Sequence, residues 1–113
     1  SELQQVFLNL INNSLDAMET GGGSLTIASR LEEDRIVVEV SDTGRGIPEA
    51  NLNRIFDPFF TTKPVGKGTG LGLSICYGII DKIGGKIEVR SAVGKGTSFY
   101  VSLPIPKDDV ARD

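Results

Sequence analysis

Apolar residues recur at three- and four-residue steps from Leu3 to Met18, where Leu3, Val6, Phe7, Leu10, Ile11, Leu15 and Met18 share one side of a helix. Gly21, Gly22 and Gly23 end it. Two strands are predicted next, Ser24–Arg30 and Arg35–Asp42, joined by the charged turn Leu31–Asp34. In the second strand Ile36, Val38 and Val40 alternate with more polar neighbours, while Val37 points to partial cover on the other face. Thr43–Pro48 reads as a glycine-rich turn and Glu49–Phe56 as a short helix with Pro48 just before its first turn. Asp57–Thr69 shows neither period and reads as a long loop. Leu71–Ile83 is helical again, with Leu71, Ile75, Cys76, Ile79, Ile80 and Ile83 on one side and Gly84-Gly85 as a cap. Lys86–Ser91 and Thr97–Leu103 form a last hairpin across Ala92–Gly96, and the polar tail after Pro104 frays. Three helices and four strands, amphipathic throughout, predict an α+β fold: a two-layer sandwich of sheet and helices.

Composition narrows the picture. The 113 residues fit one domain, without internal repeat or boundary, and 39% apolar with 24% charged residues describes an ordinary globular chain. A net charge of −3 gives no pull toward nucleic acid or anionic lipid, so neither a nucleic-acid partner nor direct membrane contact is expected. One cysteine, Cys76, cannot form an internal disulfide, and no apolar run approaches the ~20 residues of a membrane-spanning helix. A cytoplasmic location is therefore expected, which leaves open whether a parent protein is anchored in a membrane. The chain opens directly on an amphipathic helix, which reads as a piece of something longer. It contains no histidine.

Candidate chemistry sits in several polar clusters. Gln5, Asn9, Asn12, Asn13 and Asp16 lie opposite the apolar stripe of the first helix. A solvated face is one reading. Asparagine is a poor helix former, however, and its amide oxygen is a hard neutral ligand suited to Mg²⁺, so Asn9 and Asn13, one turn apart, could hold a metal and a phosphate together. Asp42-Thr43-Gly44-Arg45-Gly46 at a strand end is either a backbone turn or a site where a buried carboxylate accepts an exocyclic amine while glycines admit a flat ring.

Gly66-Lys67-Gly68-Thr69-Gly70-Leu71-Gly72-Leu73 leads into a helix. It is either a flexible linker or a phosphate site built from backbone N–H groups and a helix N-terminus. No Ser or Thr follows the lysine, as a Walker loop requires, and the glycines alternate instead of following the dinucleotide pattern. Phe56-Asp57-Pro58-Phe59-Phe60 reads as an aromatic hinge anchored in the core. Thr61, Thr62, Lys63 and Lys67 then fall on a lid, each lysine either solvated or meeting a phosphate.

In this order LQQVFLNLINNSLDAM, DTGRGIP, IFDPFF and GKGTGLGLSI resemble the N, G1, F and G2 boxes of the ATP-binding domains of bacterial sensor histidine kinases, and GKGTSFYVSLP resembles that family's last glycine box and strand. The resemblance spans Leu3 to Leu103. It implies the Bergerat fold shared with gyrase B, Hsp90 and MutL, a mixed sheet on about three helices with a mobile ATP lid. It also implies ATP or ADP as ligand with Mg²⁺ on Asn13, and Asn9 and Asp16 beside it. Asp42 would take the adenine amine, with Gly44, Gly46 and Ile47 along the base and Thr97 at the rear. Gly68, Thr69, Gly70, Leu71, Gly72 and Leu73, with Lys63 and Lys67, would surround the phosphates, and Asn9, Asn13 and Lys67 would serve catalysis.

The ATPases of the fold carry a Glu four residues before the metal-binding Asn. Here Asn9, which cannot act as a base at neutral pH, stands there, so transfer to a protein side chain is expected over hydrolysis. The acceptor would be a histidine on a separate dimerisation and phosphotransfer hairpin of the same kinase, with a response regulator downstream. A stand-alone serine kinase of the anti-sigma-factor type and a regulatory nucleotide-binding module without transfer are the alternatives.

Overall fold

The computed structural model describes residues 1–60 and 72–105. Its elements are α1 (Glu2–Ala17), β1 (Leu25–Glu32), β2 (Arg35–Asp42), α2 (Glu49–Leu52), α3 (Gly72–Lys82), β3 (Lys86–Ala92) and β4 (Gly96–Pro104). One four-stranded sheet has the order β1-β2-β4-β3. α1 and α3 pack on each other and on one face of that sheet.

Every pairing among the described residues is antiparallel, where a mixed sheet was expected. The reason is connectivity. β1–β2 and β3–β4 are hairpins, and the long path from β2 through α3 returns β3 parallel in direction to β2, but β4 has inserted itself between them. Each neighbour is thus reversed.

Local chemistry explains the element ends. Ser1 caps α1 with a capping box, its Oγ accepting from Gln4 N at 3.3 Å. β1 runs past its expected end at Arg30 to Glu32, because Glu33, at φ +57, and Asp34 turn the chain tightly enough for Glu32 to pair with Arg35. α2 stops at Leu52, short of the expected Phe56, where Asn51 and Asn53 offer little helix propensity.

The core lies between helices and sheet, around Val6, Leu10, Val40, Ile80, Cys76 and Val101, all fully buried. Cys76 joins α3 to α1: its thiol donates to Val6 O at 3.6 Å, and burial pushes its pKa up. On α1 the predicted stripe shifts: Leu15 is 51% exposed, and Ser14, 1% exposed, takes the place beneath Val6 and Leu10. Of the aromatic hinge, Phe56 stacks near Phe99 and Tyr77, and Phe60 packs on the core beneath Arg54. Phe59 does not anchor it, being 72% exposed at φ +69.

Among the described residues no helix covers the opposite face of the sheet. It carries a shallow charged groove of about 330 Å³ lined by Arg30, Glu32, Glu39, Glu88, Arg90 and Tyr100. Such a surface suits water.

Candidate functional site

The candidate site grows from one end of the sheet, on the face that carries the helices. Strand register places Asp42 opposite Thr97, and Thr97 opposite Ser91, so three polar side chains form a row across β2, β4 and β3. The alternation that turns Val40, Phe99 and Val89 toward the core turns these three the same way.

Asp42 is 7% exposed and Thr97 5%. Asp42 Oδ1 accepts from Gly44 N at 2.8 Å and from Thr97 N at 3.3 Å. A buried carboxylate needs such donors. Both bonds fall on Oδ1, and Oδ2 accepts none from the described residues, which leaves one carboxylate oxygen for an incoming donor.

The turn after β2 is wired to α1 and to the β3–β4 hairpin. Arg45 N donates to Ala17 O at 3.1 Å, and the Arg45 guanidinium reaches Asp16 O at 3.2 Å, which ties the turn to the end of α1. Gly94 N donates to Arg45 O at 2.9 Å, and Ile47 N donates to Ser91 Oγ at 2.7 Å, which ties it to the β3–β4 hairpin. The glycines serve this wiring. A Cβ on Gly44 would stand 2.6 Å from Ala17 O, and one on Gly46, at φ +77, would stand 2.2 Å from Ala92 O. Their missing side chains are required by the protein's own backbone.

Asn9 and Asn13 lie half-buried on α1. Asn9 Nδ2 donates to Gly72 O at 3.5 Å, so it spans from α1 to the first turn of α3. Asn13 makes no hydrogen bond with another described residue. Among the described residues no group of three His, Cys, Asp or Glu side chains could hold a metal ion. Gly72 and Leu73 open α3 beside Asn9. Lys63, Lys67, Gly68, Thr69, Gly70 and Leu71, and most of the expected lid, lie outside the described residues.

The structure thus brings Asp42, Gly44 and Thr97 together, Ile47 against the same row, and Asn9 against Gly72. Two residues outside the expected set belong to it. Ser91 is one, and its sequence signal was an inward position at the end of the Ile87, Val89 alternation. Gly96 is the other: at φ +126 its Cβ would meet Asp42 O at 2.0 Å.

A buried strand-end Asp backed by a Gly-x-Gly turn, beside a helix that offers asparagines, is the arrangement the resemblance implied. Residues 1–107 match the family described as histidine kinase-, DNA gyrase B-, and HSP90-like ATPase. The chain belongs to that family. Among curated proteins it is 49% identical to sensor kinase CckA of Brucella abortus over 91% of this chain and 12% of the relative. It is 40% identical to sporulation kinase E of Bacillus subtilis over 99% of this chain and 15% of the relative. The chain therefore spans a small part of the length of these relatives.

Among solved structures, the catalytic domain of histidine kinase ThkA superposes with a TM-score of 0.79 at 40% identity, covering 93% of this chain and 69% of that one. A mycobacterial sensor histidine kinase, MprB, gives a TM-score of 0.81 at 26% identity over 91% of this chain and 72% of its own. Within the family, then, the chain is a catalytic ATP-binding domain of the histidine-kinase type. No helix among the described residues is long and apolar enough to cross a membrane.

Proposed function

We propose that this domain binds ATP with Mg²⁺ and donates the γ-phosphoryl group to a histidine on a separate dimerisation and phosphotransfer domain, as the ATP-dependent step of two-component signalling. The observation that carries the reading is the Asp42 carboxylate, buried at the floor of the site with Oδ1 committed to two backbone N–H groups and Oδ2 accepting from none of the described residues. An adenine amine is a donor suited to that oxygen. These 113 residues hold no histidine, and the relatives are several times longer, which supports an acceptor on another domain. A response regulator would receive the phosphoryl group from that histidine.

Asn13 would hold Mg²⁺ together with the nucleotide's phosphates. A lone amide fits that role because Mg²⁺ keeps several waters and is commonly bound through substrate oxygens. When bound, the ion would neutralise charge on the phosphates. The protein's part is positioning: the row Asp42–Thr97 fixes the base, and α1 presents Asn13 and Asp16 toward the phosphates. Lys63, Lys67 and the run Gly68–Leu73 would close on them. Asn9 offers no base for a water, and its amide is engaged by α3, which favours transfer over hydrolysis.

The test is calorimetric titration with ADP, with and without Mg²⁺, on the unaltered chain and on Asp42→Ala. We expect saturable binding, and a loss of at least about tenfold in Asp42→Ala, as for removal of a hydrogen bond to a charged group. Equal affinity of the two proteins would sink the assignment of the base.

A further inference from the structure

We infer that Ser91 is a specificity-determining positioning residue, which acts through Thr97 to make the floor of the base site accept hydrogen bonds and offer none. The inference rests on the nucleotide reading above.

A serine hydroxyl has one proton and two lone pairs. Ser91 Oγ has three neighbours that use all of them. Ile47 N donates to it at 2.7 Å. It donates to Gly96 O at 2.9 Å. Thr97 Oγ1 lies 2.8 Å away. The backbone carbonyl takes the one Ser91 proton, because a carbonyl cannot donate in return and is a better acceptor than a hydroxyl. The remaining contact is then satisfied only if the Thr97 hydroxyl donates to Ser91. The Thr97 proton is thereby turned along the row, away from the base site, and Thr97 presents lone pairs.

Asp42 stands next in the row, its Oδ1 already filled by Gly44 N and Thr97 N. The floor therefore shows a carboxylate oxygen and a hydroxyl oxygen, both acceptors. A purine with a 6-amino group brings two N–H donors to such a floor. A 6-oxo purine puts in place of that amine an oxygen whose lone pairs nothing there can satisfy, and its single N1 proton serves at most one of the two acceptors. Discrimination by unmet polar groups is stronger than discrimination by shape. Ser91 lies two strands from Asp42 and bears on the 6-position by holding the Thr97 proton, while its bond from Ile47 N bears on ADP and IDP alike.

The probe is IDP, which differs from ADP in carrying a 6-oxo group and an N1 proton. Dissociation constants for ADP and IDP are measured on the 113-residue chain and on Ser91→Ala, Ser91→Thr and Thr97→Val, with a thermal melt of each. In Ser91→Ala the Thr97 proton is released, and the preference for ADP over IDP should fall about five- to tenfold. Ser91→Thr keeps the hydroxyl and should restore the preference. Thr97→Val removes the same acceptor while leaving the Ile47 bond intact, so it reports even if Ser91→Ala folds poorly. In its preference for ADP over IDP the double variant should match Thr97→Val, because the Ser91 bond from Ile47 N bears on both nucleotides alike.

An unchanged preference in folded Ser91→Ala or in Thr97→Val overturns the inference, as does an additive double variant. A merely structural Ser91 would weaken ADP and IDP equally. If the unaltered chain binds no ADP, the nucleotide reading falls and this one with it. If it binds ADP while the preference stays fixed across the variants, only the role of Ser91 falls.

Discussion

At the scale of single residues, the glycines of this chain divide by what surrounds them. Gly96 is left-handed at φ +126 and would drive a Cβ to 2.0 Å from Asp42 O, a backbone atom that cannot yield without moving β2. Left-handed geometry costs a residue with a side chain about 1–2 kcal/mol, and overpacking adds roughly 1–3 kcal/mol. Gly96→Ala should therefore lose about 2–5 kcal/mol in urea unfolding and lose ADP binding with it. Gly78 is the opposite case. It lies within α3, exposed, with nothing inside 4 Å of a built Cβ and no left-handed φ. Gly78→Ala should gain about 0.5–1 kcal/mol, from helix propensity and a less flexible unfolded chain. A Gly96→Ala chain as stable as its parent would show that the β4 start can shift, and the row that begins there would lose its fixed register.

At the scale of elements, α1 shows what a hydrophobic pattern conveys and what it hides. The period gave the helix and its buried side through Val6 and Leu10. It assigned Leu15 to the core, whereas Leu15 is half exposed and Ser14 lies beneath. Apolarity marks a face only to within a residue's angle, and a small residue buried at a close contact leaves no apolar trace. The Ser14 hydroxyl has no partner among the described residues. A buried hydroxyl without a partner is a cost, so Ser14→Ala should raise stability by about 1 kcal/mol, helped by alanine's propensity. Denaturant midpoints of the two proteins decide it, and a loss of stability would mean that Oγ bonds the preceding turn. The hairpins were easier to read. Alternation located both ends of β2 to the residue and both ends of β4 to within one, while β1, almost wholly exposed, ran on because only pairing with β2 defines where it stops.

At the scale of the whole molecule, the site was legible as motifs and illegible as geometry. Asp42 and Thr97 could be named from the chain, but that they are register partners, with Ser91 third in line, depends on β4 entering between β2 and β3. No local pattern encodes that insertion, which is also why the sheet proved antiparallel. Gly44 and Gly46 were likewise recognisable as special, yet the atoms they make room for, in Ala17 and Ala92, come from opposite ends of the chain. A site assembled from α1, β2, β3 and β4 couples ligand binding to global unfolding. Any ligand that binds only the folded chain stabilises it by mass action, about 2.7 kcal/mol at a hundred times its dissociation constant. For a domain of this size that is roughly 10–20 °C in melting temperature. The two subsites should separate in that measurement. Asp42→Ala should lose at least about half of the shift produced by ADP with Mg²⁺, as a tenfold weaker affinity requires. Asn13→Ala should lose only the part that chelating Mg²⁺ with EDTA removes from the unaltered chain, since in the proposed function Asn13 would meet the nucleotide through the ion. If EDTA lowers the shift equally in Asn13→Ala and in its parent, the ion is held by other groups and Asn13 is a residue of the helix face alone.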